Sequence, residues 1–347
     1  MITNTTPQRS LRGHRPKRLS QRAAIGGEYV ARLAGRLTDR DRWLARMLYE
    51  HRVLTTTQIT QLAWSSVRAA NLRLLQLYKW RVLDRFQPFV TYGSAPMHYV
   101  LDVAGAAVLA REEGLDPREL NYRQERAIGI AHSLRLAHIV ATNTFFTTLI
   151  HRSRHSDSGG RLTAWWSEAR CLKLFGDVVR PDAYGRWREG QREIEWFLEY
   201  DWGTERPADR VGGKLPGYAK LAATTGITTP VLLWMPTGHR EARVRRALAA
   251  SLALLDDPSL VPLATTSADF VHGEGQSDPS LARWLPLNTE QTTSRRLPLA
   301  ELNGAWPHLP PLSASPASAV TSADTAGRSR SPLPPQLPRP PIQPRRR

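Results

Sequence analysis

The sequence predicts a mixed α+β / α/β chain of 347 residues, built in two parts between two basic tails. Three observations point there. Residues 37 to about 115 read as three helices, a hairpin and a helix. Residues 128 to about 290 alternate apolar strand-like runs with amphipathic helices. Both ends are rich in arginine and empty of acids. The length allows two domains at roughly 150 residues each, and 41% hydrophobic residues suffice for a core in both.

Residues 1–35 read as a basic tail with little periodicity, disordered in its first half. Thr38, with Asp41 three residues later, is a capping pattern that opens a helix bearing Trp43, Leu44, Met47 and Leu48 on its apolar face. Thr55 to Gln58 start a second, short helix carrying Ile59 and Leu62. Ser65-Ser66 cap a third, with Val67, Leu72, Leu75 and Leu77 predicted inward and Arg68, Asn71, Arg73 and Gln76 outward. Residues 82–86 and 98–101 read as strands about a Tyr92-Gly93-Ser94 turn, and Asp102 opens another helix. Over residues 36–115 this order fits a winged helix-turn-helix, whose third helix enters the DNA major groove. The four outward residues are its candidate base-reading set. The alternative is a helical bundle with a hairpin and merely solvated polar side chains.

After a charged connector, one amphipathic helix is predicted over 128–151, with Leu134, Ile139, Phe145, Phe146, Leu149 and Ile150 on its apolar face, broken by the Ser/Gly stretch 153–160. Strands are predicted at 162–172, 178–184, 194–200, 230–235 and 263–266, and helices at 209–223 and 240–255. Trp165 and Trp166, as strand neighbours, are expected to face opposite ways, so that only one enters the core. His132 and His138 lie six apart and do not share a helix face as metal ligands would. The chain turns Pro/Ser-rich after Pro298, and residues 310–347 are expected to be disordered.

The densest chemistry lies between residues 178 and 220. An apolar run ends in Pro181-Asp182, and a second delivers Glu199 and Asp201. Carboxylates at i and i+2 on a strand share a face, so Glu199 and Asp201, with Asp182 from a neighbouring strand, form a candidate oxygen site for Mg²⁺ or Mn²⁺. Such sites serve phosphodiester chemistry when a lysine stands by. Only five of the 48 basic residues are lysines, yet Lys214 and Lys220 follow the acids closely. Lysine, unlike arginine, has a pKa that surroundings can tune. Glu168 is a further candidate carboxylate or a surface ion-pair partner. The alternative is an antiparallel hairpin whose acids decorate a solvated edge.

The net charge is +17, of which residues 1–22 and 328–347 carry +6 each, leaving +5 for everything between. This favours a polyanionic partner, with the tails as an unselective hook. One cysteine, Cys171, excludes an internal disulfide and suits a reducing compartment. There is no apolar run of membrane-spanning length, and no apolar segment follows the basic N-terminus. The expectation is a cytoplasmic protein without a membrane partner. Phosphate-binding glycine loops, CxxC pairs and GxSxG are absent, so ATPase, zinc-finger and serine-hydrolase classes lack support.

Over residues 128–290 the strand and helix order, with Pro181-Asp182 and Glu199, resembles the restriction-endonuclease-like PD-(D/E)xK superfamily. With the winged helix in front, the motifs LTDRD, LTTTQI, YVLDVAGA, RPDA, FLEYDWGTE, KLPGY and ARWLPL resemble the replication-relaxation family of plasmids in Gram-positive bacteria, especially actinobacteria, over about residues 37–287. The arginine bias fits a high-GC genome. The resemblance implies a role in plasmid replication and DNA relaxation, nicking at a plasmid or transfer origin as relaxases do, and partnership with a second copy or with other replication and mobilisation proteins. It assigns Asp182 and Glu199, joined by Asp201, to the metal. The superfamily's lysine, two residues after the glutamate, is replaced by Asp201, which makes Lys214 the first candidate for a displaced catalytic lysine and Lys220 the second. Lys220 is expected to contact DNA, and Tyr218, four residues after Lys214 on the same helical face, to contact a phosphate. If no lysine reaches the acids, the chain is instead a non-catalytic DNA-binding replication or transcription regulator on a degenerate nuclease-like scaffold.

Overall fold

The computed structural model describes residues 25–90, 92–116, 118–154, 159–202, 212–270, 278–287, 295–309, 312 and 333–341. The N-terminal tail before residue 25, the start of the predicted helix at Asp209 and much of the C-terminal tail lie outside the described residues. The chain divides into two compact units, Met1–Thr147 with Pro332–Arg347, and Thr148–Ser331.

In the first unit most helices start where the sequence places a cap. One helix was not foreseen: α1 (Gly27–Ala34) lies within the predicted tail and buries Val30 and Leu33. α2 (Asp39–His51) opens on a complete capping box, in which Asp41 N donates to the Thr38 hydroxyl and Thr38 N donates to Asp41 Oδ2 at 2.8 Å. Two of the amides left open at a helix start are thereby satisfied. Thr55 and Gln58 repeat the device at α3 (Thr56–Ala63), just after β1 (Leu54–Thr55). Ser66 caps α4 (Val67–Lys79), whose buried stripe is Ala70, Leu74 and Leu77, an i, i+4, i+7 spacing. Val67, Leu72 and Leu75, predicted inward, are exposed. The stripe turns on Ala70, a small residue that lets the helix approach its neighbours closely and gives little signal in a pattern of leucines.

β2 (Leu83–Phe86) and β3 (His98–Leu101) pair antiparallel, and β3 lies between β1 and β2 in a three-stranded sheet. α5 (Val103–Glu112) starts on Asp102. The single helix predicted over 128–151 is instead α6 (Gln124–Gly129), a 3-10 turn (Ile130–His132) and α7 (Leu136–Ser153). Ser133 makes the break: its backbone is extended and its hydroxyl accepts from Arg135 N at 3.1 Å, a local bond that competes with helix continuation. Leu134 is left 70% exposed. Residues 333–341, expected to be disordered, also belong to this unit. Leu333 and Pro338 are buried, and Trp43 Nε1 donates to Leu337 O at 2.8 Å.

The second unit is built on a six-stranded sheet in chain order: β4 (Arg161–Ser167), β5 (Ala183–Glu189), β6 (Arg192–Tyr200), β7 (Val231–Met235), β8 (Leu263–Ser267) and β9 (Leu285–Leu287). β4, β5 and β6 are antiparallel, β6, β7 and β8 parallel, and β9 antiparallel to β8. The parallel steps cross over through α9 (Leu215–Thr225) and α10 (Gly238–Leu252). The predicted strand 162–172 stops at Ser167, which caps α8 (Glu168–Phe175), so Glu168 sits in a first helical turn. The strand predicted at 178–184 begins only at Ala183. β9 and a 3-10 turn at Leu299–Ala305, the latter lying against β5 and β6, were not foreseen.

Trp166, Tyr184, Phe197, Tyr218, Val231, Leu233 and Met235 share one core cluster with α10 residues Val244, Leu248 and Leu252. Residues of the opposite strand parity, Trp165, Trp196 and Trp234, are equally buried. Both tryptophans at 165 and 166 therefore lie in the interior, against the expectation for strand neighbours. The alternation rule holds, but this sheet is covered on both faces, as parallel sheets are.

Candidate functional site

Sheet register assembles the site. β5 runs antiparallel to β6 with Ala183 opposite Leu198, and Asp182 N donates to Leu198 O at 3.1 Å. The residue before β5 thus lies beside the last residues of β6. Asp182, Tyr184, Phe197 and Glu199 share a parity and face the side covered by α9. Asp182 precedes its strand rather than ending one; it meets Glu199 because the strands are antiparallel. The hairpin alternative is correct in topology, but its acids are not on a solvated edge: Asp182 is 5% exposed and Glu199 2%.

α9 brings the counter-charge. Lys214, at the N-cap position after the 3-10 turn Gly212–Lys214, donates through Nζ to both Glu199 oxygens at 2.6 and 2.8 Å and to Arg180 O at 3.0 Å. Tyr218, one turn on, donates its hydroxyl to Glu199 Oε1 at 2.6 Å. Gly217, between them, permits this closeness, since a Cβ there would stand 2.7 Å from Val178 O and 3.3 Å from Val179 Cβ. Asp182 Oδ2 accepts from Tyr200 N at 2.8 Å. Burial pushes the Glu199 carboxyl up to about 7; the Lys214 charge opposes the shift, the Asp182 charge adds to it, and the bonds from Lys214 and Tyr218 oppose it.

The other predicted site residues lie elsewhere or are committed differently. Asp201 does not join Asp182 and Glu199. β6 ends at Tyr200, so strict alternation stops there, and both Asp201 oxygens accept from the Arg240 guanidinium of α10, the longer bond being 2.8 Å. Among the described residues no group of three acid, His or Cys side chains is arranged to hold a metal. Asp182 and Glu199 remain as two buried, mutually repelling carboxylates. That donor set suits Mg²⁺ or Mn²⁺, which take one or two carboxylates and keep several waters. Tyr218 is 3% exposed and its hydroxyl is taken by Glu199, so it does not present itself to a phosphate. Lys220 is exposed, further along α9.

In the first unit, Arg68, Asn71 and Gln76 lie on the exposed side of α4. Arg73 differs from them: it binds the buried Asp41 of α2 through two nitrogens, one at 2.9 Å, and its guanidinium lies 5.2 Å from the Trp80 ring centroid. Its head is committed to holding α4 against α2. Two contributors escaped the sequence reading. Arg240 carries a weak signal, the third residue of a helix capped by Thr237. The Arg180 carbonyl, which helps orient Lys214, carries none.

The replication-relaxation family profile matches residues 46–232, a span that takes in α4, Asp182, Glu199, Lys214 and Tyr218 and stops short of Arg240. No curated protein and no solved structure matches the chain at a significant level. The match covers more than half of the sequence, and the chain belongs to the replication-relaxation family.

Proposed function

We propose that this is a DNA-binding plasmid replication-relaxation protein that nicks DNA with a divalent-metal, PD-(D/E)xK-like site formed by Asp182, Glu199 and a displaced Lys214. The observation that carries the reading is the Lys214 ammonium lying 2.6–2.8 Å from the Glu199 carboxylate, although the position two residues after Glu199 holds Asp201. In this reading Lys214, at the start of the following helix, stands in for the superfamily's strand lysine. Family membership supports a role in plasmid replication or relaxation.

A Mg²⁺ or Mn²⁺ ion bound by Asp182 and Glu199 would supply Lewis-acid polarisation of the phosphodiester and a more acidic bound water. The chain's own residues do the rest. Asp182 is fixed by the Tyr200 amide, and Tyr218 holds one Glu199 oxygen in place. Lys214, the member of the cluster with solvent access at 21% side-chain exposure, supplies positive charge and a proton donor at the mouth of the site. The first unit, read as a winged helix-turn-helix, presents α4 to the major groove with Arg68, Asn71 and Gln76 outward. The resulting partner is duplex DNA.

Incubating supercoiled plasmid with Mg²⁺ or Mn²⁺ tests the reading. Wild type is expected to yield open circles, and Asp182→Asn and Lys214→Ala to yield none, with duplex binding retained. Nicking that persists in Asp182→Asn would remove this site. A second reading, a regulator on a nuclease-like scaffold, is favoured by the closed Lys214–Glu199 pair, in which acid and lysine neutralise each other. Wild type that binds duplex and metal without nicking selects that reading.

A further inference from the structure

We propose that Leu72 and Leu75 are specificity-determining residues of the DNA-binding unit: together they form an apolar strip along the crest of α4 that reads thymine 5-methyl groups in the major groove. The proposal rests on the reading of α4 as the helix that enters that groove.

α4 has the sequence VRAANLRLLQLYK, and its buried stripe is Ala70, Leu74 and Leu77. Successive residues of an α-helix turn through about 100°, so Arg68, Leu72, Leu75 and Lys79 fall within about 60° of one another, on the side opposite that stripe. Asn71 and Gln76 flank them, one on each side. Leu72 is 64% exposed and Leu75 38%. A single exposed leucine needs no explanation, but two that are neighbours at i and i+3 on a helix crest make a continuous apolar surface.

The occupant is duplex DNA. α4 contains no acid, and the exposed Arg68 and Lys79 stand at the two ends of the strip, about 16 Å apart along the axis, as phosphate contacts require. The base edges of the major groove offer one apolar group, the thymine methyl, with the O4 acceptor beside it. Leu72 and Gln76, neighbours at i and i+4, match that pair. Gln76 Oε1 accepts from Arg73, whose guanidinium is fixed on the buried Asp41, so the Gln76 amide is held with its NH2 left to donate. A leucine beside a held N–H donor suits thymine, whereas a cytosine edge, with its N4 amine and no methyl, meets neither.

The test uses the full chain and a duplex that it selects from a random-sequence pool. That duplex is prepared once with thymine and once with deoxyuridine, which lacks only the 5-methyl group. The parent is expected to bind the deoxyuridine form about fourfold more weakly for each methyl group read, the factor that goes with burying one carbon. Leu72→Ser/Leu75→Ser is expected to bind the thymine form as weakly and to lose little more on deoxyuridine. Because both side chains are exposed, its helix content and its affinity for random-sequence duplex should be retained. Leu72→Met/Leu75→Met, still apolar, should keep most of the discrimination. A parent that selects a sequence yet binds both forms equally overturns the methyl reading and leaves the DNA-binding reading standing. So does a preference for thymine that survives in Leu72→Ser/Leu75→Ser; if that variant also turns a dimeric parent into a monomer, the strip belongs to a second copy of the chain. A parent that enriches no sequence overturns α4 as the reading helix as well.

Discussion

Glu199, 2% exposed, is held by three side-chain hydrogen bonds, from Lys214 and Tyr218, and its protonation reports on the whole cluster. Its carboxyl pKa is raised from 4.5 to about 7, with burial as the largest cause. Between those values the unfolded chain ionises while the folded carboxyl keeps its proton, so metal-free stability falls as pH rises through that window and stays lower above it. The shift corresponds to a change on the order of 3 kcal/mol. Glu199→Gln is expected to remove this slope, as read by urea unfolding at pH 5 and pH 8; an unaltered slope would assign it to another group. Asp182→Asn removes one of two repelling charges and one ligand together. It should preserve or raise metal-free stability while abolishing stabilisation by Mg²⁺, read as a loss of the Mg²⁺-dependent rise in Tm. A variant that Mg²⁺ still stabilises would place the ion elsewhere.

At the scale of elements, the site depends on how closely α9 approaches the loop before β5. Gly217→Ala would set a methyl group 2.7 Å from the Val178 carbonyl, and backbone on both sides cannot yield cheaply. The expected result is a loss of about 1–3 kcal/mol in stability and of nicking, whereas Ala219→Gly on the same helix should leave nicking intact. α4 makes a different prediction, because its polar residues divide into two kinds. Arg68→Ala and Asn71→Ala should each cost about 1–3 kcal/mol of discrimination between specific and random duplex. Arg73→Ala should instead weaken binding to both duplexes equally and lower Tm, because it strands the buried Asp41 carboxylate. Selective loss of discrimination in Arg73→Ala would return that residue to the reading set.

For the whole molecule, the charge distribution separates hold from choice. The N-terminal 22 residues carry +6 and the body between the tails only +5. Deleting residues 1–22 should flatten the salt dependence of DNA binding, at about 0.9 for each phosphate the tail neutralises, while leaving sequence preference in place. An unchanged salt slope would show that this tail does not touch phosphate. The second unit buries large aromatics on both sheet faces, Trp166, Tyr184 and Phe197 on one and Trp165, Trp187, Trp196 and Trp234 on the other. That packing provides the rigid frame on which a two-carboxylate site can be held against its own repulsion.

Local signals in the sequence were enough to set the helix starts at Thr38, Thr55, Ser66 and Asp102, the strands around 98–101, 231–235 and 263–267, and the pairing of Lys214 with Tyr218 on one helical face. Each depends on residues within about four positions of one another, where side-chain to backbone bonds and periodicity act. Family membership was legible for the same reason, since it rests on short motifs in order. What only the tertiary structure decided involves partners far apart in the chain. Asp201 pairs with Arg240, 39 residues away, and so leaves the acid pair; Arg73 is claimed by Asp41, 32 residues earlier. Trp165 and Trp166 are both interior because chain distant in sequence covers the second face of the sheet. Residues 333–341 are held by Trp43, 294 residues before Leu337. Pattern in a sequence states which face a side chain occupies, whereas the group that meets it there is set by the closing of long loops, which no local spacing records.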